Sequence, residues 1–118
     1  MRSWLALLVA PLFGLWLVIS EPWQIAPNTI RWTTQSEQDV FGYDIYRGDQ
    51  QDGPFERINT QTILGVGTTD LPQSYQFSDA EIDAETVYWY YVETVALTGE
   101  RKPLTPVYPS PPKSASLW

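Results

Sequence analysis

Residues 82–92 read Ile82, Asp83, Ala84, Glu85, Thr86, Val87, Tyr88, Trp89, Tyr90, Tyr91 and Val92, and the second half of that run decides the fold class. It is aromatic and β-branched throughout, the residue types that fit a pleated surface. Nothing in it has the spacing of an amphipathic helix. A period of two sets Tyr88, Tyr90 and Val92 on one face of a strand and Trp89 and Tyr91 on the other. The strand is read over 86–97.

Working outward, the rest of the chain breaks into further short β-rich runs at 23–26, 29–34, 41–47, 56–59, 74–78 and 105–108. Turn formers separate them, notably Gln51, Asp52, Gly53 and Pro54 after the third run and Thr98, Gly99 and Glu100 before the last. Regularly spaced short strands without helices point to two antiparallel sheets packed face to face. With the parity set by Trp32, the inward residues are Ile30, Trp32, Tyr43, Ile45, Phe55, Ile58, Tyr75, Phe77, Ile82, Tyr88, Tyr90 and Val92. The same parity turns Tyr46, Trp89, Tyr91, Val95 and Leu97 outward as an aromatic and aliphatic patch, the candidate partner surface. The segment 60–73, with Ile63, Leu64, Gly65, Val66 and Gly67, is left open between an extra short strand and a loop across the sandwich edge.

Three features of residues 22–109 resemble a fibronectin type III domain, an immunoglobulin-like antiparallel β-sandwich. Ile30 and Trp32 alternate inward as the family's core tryptophan strand does, and Gly42, Tyr43, Asp44, Ile45 and Tyr46 resemble its aromatic-x-aliphatic strand. The run from Ile82 to Tyr88 is similar to the approach to its sixth strand. That resemblance implies that Tyr88 is a tyrosine-corner residue, its ring in the core and its hydroxyl bonded to backbone near Ile82. The sequence departs from the family in carrying Ala84 and Glu85 where a turn proline or glycine is usual.

Composition narrows function. Cysteine and histidine are both absent, which removes disulfides, thiolate metal sites, cysteine nucleophiles and the commonest general base near neutral pH. Acidic residues number 14 against 7 basic ones, a net charge of −7 that becomes −8 when Arg2 is set aside with the N-terminal stretch. Such a surface repels nucleic acid and anionic headgroups. No cofactor, metal or catalytic residue is expected, and the chain is read as a non-enzyme.

From Trp4 to Ile19 every residue is apolar or small, with Arg2 before and Glu21 after. Residues 1–21 are therefore read as a targeting segment that leaves the N-terminus in the cytoplasm and the domain on the periplasmic or extracellular side. As a helix, 16 such residues span about 24 Å at ~1.5 Å per residue, near the lower limit for crossing a bilayer. Trp4, Leu8, Leu12, Phe13, Leu15, Trp16 and Ile19 would form the anchor. Cleavage near Ser20 is the alternative, and would leave an exported module binding carbohydrate or cell wall through Trp89 and Tyr91. Residues 110–118 form a Pro-rich tail whose Leu117 and Trp118 are expected to dock on a neighbouring subunit. The expected partners are other membrane or envelope subunits, together with the membrane itself.

Two motifs read as incidental. Arg47, Gly48 and Asp49 spell a tripeptide that some fibronectin type III domains present to integrins, but here it ends the third strand rather than riding the later loop. Asp79, Glu81, Asp83 and Glu85 alternate through one loop, and strict alternation points carboxylates apart instead of around a cation. Paired carboxylates also suit glycoside hydrolysis, yet a domain this small offers no bulk for a cleft.

Overall fold

The computed structural model describes residues 25–111. Eight strands follow in order: β1 (Asn28–Thr34), β2 (Glu37–Gly48), β3 (Glu56–Arg57), β4 (Ile63–Thr69), β5 (Gln73–Asp79), β6 (Tyr88–Ala96), β7 (Arg101–Pro103) and β8 (Tyr108–Ser110). All pairings are antiparallel. β1 and β5 make a two-stranded sheet. The other sheet centres on β2 and β6, with β3 and β4 along the outer side of β2 and β7 and β8 along the outer side of β6.

Period-two alternation builds the core between these layers. Ile30 and Trp32 come from the small sheet; Val40, Tyr43, Ile45, Tyr90 and Val92 come from the large one. Ile58, Ile63, Tyr75, Phe77, Tyr88 and Tyr108 pack against them, partly buried. Trp32 stacks on Tyr75, with ring centres 5.6 Å apart, and meets Tyr43 edge-on at the same separation. Each such side chain contributes about 1.5–3 kcal/mol on burial, so the aromatic interior is what joins the sheets.

The layers are also tied by polar bonds at both ends of β5. At one end Glu37 of β2 is 3% exposed; its Oε2 accepts from the hydroxyls of Tyr43 (2.8 Å), Tyr75 and Thr34, and its Oε1 accepts from the Val66 amide (2.9 Å). At the other end Asp79 of β5, also buried, accepts from Arg47 Nη1 of β2 (2.9 and 3.0 Å) and from the Tyr90 hydroxyl (2.6 Å). Asn28 Nδ2 donates to that hydroxyl (2.9 Å) and to Ser110 Oγ (3.3 Å), which brings the start of β1 and the end of β8 to one pole.

Tyr88 packs on the core, and the Asp83 amide donates to its hydroxyl at 2.8 Å. Ala84 and Glu85 form a turn closed by the Thr86 amide on the Asp83 carbonyl at 3.3 Å, and the strand begins at Tyr88 rather than at Thr86.

One open segment is settled and three expectations are corrected. The open segment contains a full seven-residue strand, β4, paired with β2. Phe55 is not inward: its ring stands edge-on to Tyr91 on the outer face, centres 5.2 Å apart, because the short β3 leaves the turn around Gly53 folded over that face. Ile25 and Ala26, the described part of the expected first strand, are exposed and lie outside any strand. The expected last strand is instead two pieces, β7 and β8. The Leu104 and Thr105 amides converge on the Val92 carbonyl (2.7 and 3.4 Å), and Pro106 cannot donate to a ladder, so pairing lapses between them.

Register also slips in β2, where Val40 faces Ala96 and Gly42 faces Val95, leaving Phe41 as an extra, bulged residue. Gly42 is required there. A Cβ at that position would stand 2.4 Å from the Ile63 carbonyl oxygen.

Candidate interaction surface

The two outer faces differ in chemistry. On the small sheet the exposed positions are Thr29, Arg31 and Thr33 of β1 and Ser74, Gln76 and Ser78 of β5. All are polar, and Thr33 and Ser74 hydrogen-bond each other across the strands at 3.1 Å. The outer face of the large sheet carries aromatic, ionic and aliphatic bands in succession.

The aromatic band lies toward Gly48. Tyr46 and Tyr91 are direct cross-strand partners whose rings stack at 4.9 Å and 4°, and Phe55 meets Tyr91 edge-on. All three are half-buried. Burial pushes the Tyr46 hydroxyl above its ordinary range, aided by the bond it donates to Glu93 Oε1 at 3.0 Å. Trp89 lies opposite Gly48 and Pro109, also half-buried.

The ionic band is centred on Asp44, which is fully buried although it points outward. It accepts from Asn59 Nδ2 and Thr62 Oγ1 at 2.9 Å each and from Arg101 Nη1 at 2.8 Å, with Arg57 at 3.7 Å. Burial alone would raise its pKa. The bonds from Arg101, Asn59 and Thr62, with the Arg57 charge, outweigh that and hold the carboxyl below its usual range. Arg101 also pairs with Glu93 at 2.8 Å.

Past that network the face turns aliphatic. Gly42 is the partner of both Leu64 on β4 and Val95 on β6, and the Leu97 amide donates to the Asp39 carbonyl at 2.8 Å. The register therefore gathers Phe41, Leu64, Val66 and Leu97 at one end of the sheet, 45%, 64%, 54% and 60% exposed respectively.

Of the outward residues read from sequence, Tyr46, Trp89 and Tyr91 are half-buried, and Leu97 is exposed. Val95 is corrected. It keeps outward parity, opposite Gly42 and beside Arg101, but is only 6% exposed. Leu117 and Trp118 lie outside the described residues, as do Trp4, Leu8, Leu12, Phe13, Leu15, Trp16 and Ile19. Among the described residues no helix is long and apolar enough to cross a membrane. Phe41, Leu64 and Val66 escaped the sequence reading. The apolar alternation at 64 and 66 was a signal for a half-exposed strand; the bulge that releases Phe41 left none.

The two incidental motifs are accounted for. Arg47 is engaged with Asp79, with the Glu81 carbonyl (2.9 Å) and with the Tyr88 ring, whose centre lies 5.1 Å away, so the tripeptide is not displayed as a unit. It borders an open hollow of about 340 Å³ with Phe55, Glu56 and Tyr88, but its guanidinium already has these partners. Asp79 is buried in that ion pair, and among the described residues no group of three or more acidic side chains could hold a metal ion.

No family model, curated protein or solved structure matches the chain.

Proposed function

We propose that the chain is a non-catalytic, fibronectin type III-like interaction module. Residues 1–21 hold it at a membrane, with its domain on the periplasmic or extracellular side, where it serves as an accessory subunit of a larger envelope complex. The observation that carries this reading is the asymmetry between the two outer faces. One is wholly polar, whereas the other ends in four exposed apolar side chains, Phe41, Leu64, Val66 and Leu97, gathered by strand register. Apolar groups left clustered on one side of a small domain are a contact surface in want of a partner.

The family assignment is supported by Trp32 in the interior and by the bond from the Asp83 amide to the Tyr88 hydroxyl. The buried carboxylates Glu37, Asp44 and Asp79 are saturated with donors that hold the fold together, which favours a structural over a catalytic role for each. Tyr91 is stacked on Tyr46 and met by Phe55, so its ring is poorly placed to serve as a sugar-stacking platform.

The test is recovery of the tagged full chain from native membranes in mild detergent. Wild type is expected to retain a stoichiometric envelope partner, and Phe41→Asp with Leu97→Asp to lose it while keeping its fold. Recovery of the free chain alone would overturn the reading. The intact mass of the same material tests the anchor, since retention of Trp4 is expected and a chain starting at Glu21 would refute it.

A further inference from the structure

Asp39, Gly67 and Gly99, with φ of 53°, 93° and 93°, converge where the exposed apolar side chains gather. Val40 pairs with Gly67 of β4 on one side and with Ala96 of β6 on the other, and the Gly99 amide closes its turn on the Ala96 carbonyl at 2.9 Å. Left-handed residues thus flank Val40 in its own strand and beyond both of its neighbours. The register slips on either side of it release Phe41 to the surface.

Glycine takes up such a backbone freely, whereas an aspartate does so at a cost. The bend at Asp39 is held by main-chain groups: its amide donates to Thr68 Oγ1 at 3.0 Å and its carbonyl accepts from the Leu97 amide at 2.8 Å. Its carboxylate adds to the fold one long, exposed bond, accepted from the Thr68 hydroxyl at 3.4 Å. Among the described residues it makes no ion pair. Arg101, opposite Val95 at this end of the sheet, is held by Asp44 and Glu93. Lys102, opposite Thr94, falls on the other face by parity. The Asp39 carboxylate is therefore an uncompensated anion at the margin of an apolar surface, two residues from Phe41 and joined through its backbone to Leu97.

Whatever covers Phe41, Leu64, Val66 and Leu97 strips water from Asp39 as well. An acceptor desolvated without a donor is costly, and an ionised one more so. Resting on the reading of this face as a contact surface, we infer that Asp39 is its specificity-determining residue. The partner is a protein segment that sets a lysine or arginine against the Asp39 carboxylate and apolar side chains against the four exposed ones. Lipid acyl chains, and apolar surfaces edged with acidic residues, are disfavoured by the same charge. The apolar contact supplies affinity, and Asp39 supplies the choice of partner.

The full chain, held in nanodiscs of zwitterionic lipid, is offered two short capped peptides that differ at one position, a lysine among leucines or a glutamine among leucines. Wild type is expected to bind the lysine peptide about tenfold more tightly, with a preference that shrinks as salt is added. Asp39→Asn, which suits the left-handed backbone equally well, should melt at the wild-type temperature and lose the preference. Asp49→Asn with Asp83→Asn, exposed carboxylates of the opposite pole, should keep it. Equal binding of the two peptides to wild type, or a preference that survives Asp39→Asn, would overturn the proposal. So would a marked fall in melting temperature for Asp39→Gly, which would assign the carboxylate to the fold. In recovery from native membranes, a partner kept by Asp39→Asn yet lost with Phe41→Asp and Leu97→Asp refutes the pairing alone. A wild-type chain recovered free refutes the earlier reading, and the peptides still decide this one.

Discussion

Replacing Glu37 by Gln isolates the charge at one interlayer tie. The carboxylate accepts from Tyr43, Tyr75, Thr34 and the Val66 amide. Burial is the largest influence on its pKa and would raise it, but those bonds together outweigh burial and hold it low, so the ionised form is the one the fold favours. Bonds to an ionised acceptor contribute about 1.5–3 kcal/mol against about 0.5–1.5 for neutral ones. Losing that difference at the two tyrosines, and recovering a little from no longer burying a charge, leaves a deficit of about 2 kcal/mol. At a urea dependence near 1 kcal/mol per molar, the unfolding midpoint should fall by roughly 2 M at pH 7. Because the folded pKa lies below the unfolded value of about 4.3, the wild-type advantage is complete above that pH and is lost as pH falls through the folded pKa. Urea titrations of both proteins from pH 7 to pH 2 should therefore converge in acid. A constant gap across that range, or no gap at pH 7, would refute the assignment of the stabilisation to the Glu37 charge.

Asp79→Asn, at the opposite tie, removes the buried ion-pair partner of the Arg47 guanidinium, leaving it only the exposed Glu56 at 3.8 Å, and is expected to cost about 3 kcal/mol, lowering the melting temperature by roughly 10–20 °C in a calorimetric scan. Gly42→Ala drives a methyl into the Ile63 carbonyl and should destabilise by about 2–3 kcal/mol, with hydrogen exchange rising first in β4; unchanged protection there would contradict the packing. Burial, with bonds to Glu37, pushes Tyr75 up to about 12 and Tyr43 higher still, while burial and Asp79 raise Tyr90. Raised pKa values mean stability that is complete below about pH 10 and declines as pH climbs above it, so at pH 11 the phenolate absorbance of folded protein should fall short of that of the urea-unfolded chain by the share of Tyr43, Tyr75 and Tyr90, and equal absorbance in folded and unfolded protein would be the contrary result.

The two-layer β architecture was legible because alternation is local. Tyr88, Tyr90 and Val92, or Ile30 and Trp32, need only their own spacing to declare a face. Phe55 was misplaced because its position is governed by a turn, not by strand parity. Val95 shows a different limit, since parity tells which way a side chain points but not what covers it. Asp44 makes the same point more sharply: a carboxylate on the outward face is fully buried only because Asn59, Thr62 and Arg101, remote in sequence, converge on it. The candidate surface was half legible for the same reason. Leu97 followed from alternation, whereas Phe41 depends on a register slip that no local pattern encodes.

The hydrogen bond between Asn28 and Ser110 has a mechanical corollary. With entry and exit side by side, tension between Ile25 and Pro111 would act across the strands rather than along them, first at Asn28 against Asp79 and at Ser110 against Tyr88. Ladders loaded this way rupture one rung at a time. Pulled by its two ends, the sandwich should unzip at low force, making it a weak link in any load-bearing chain.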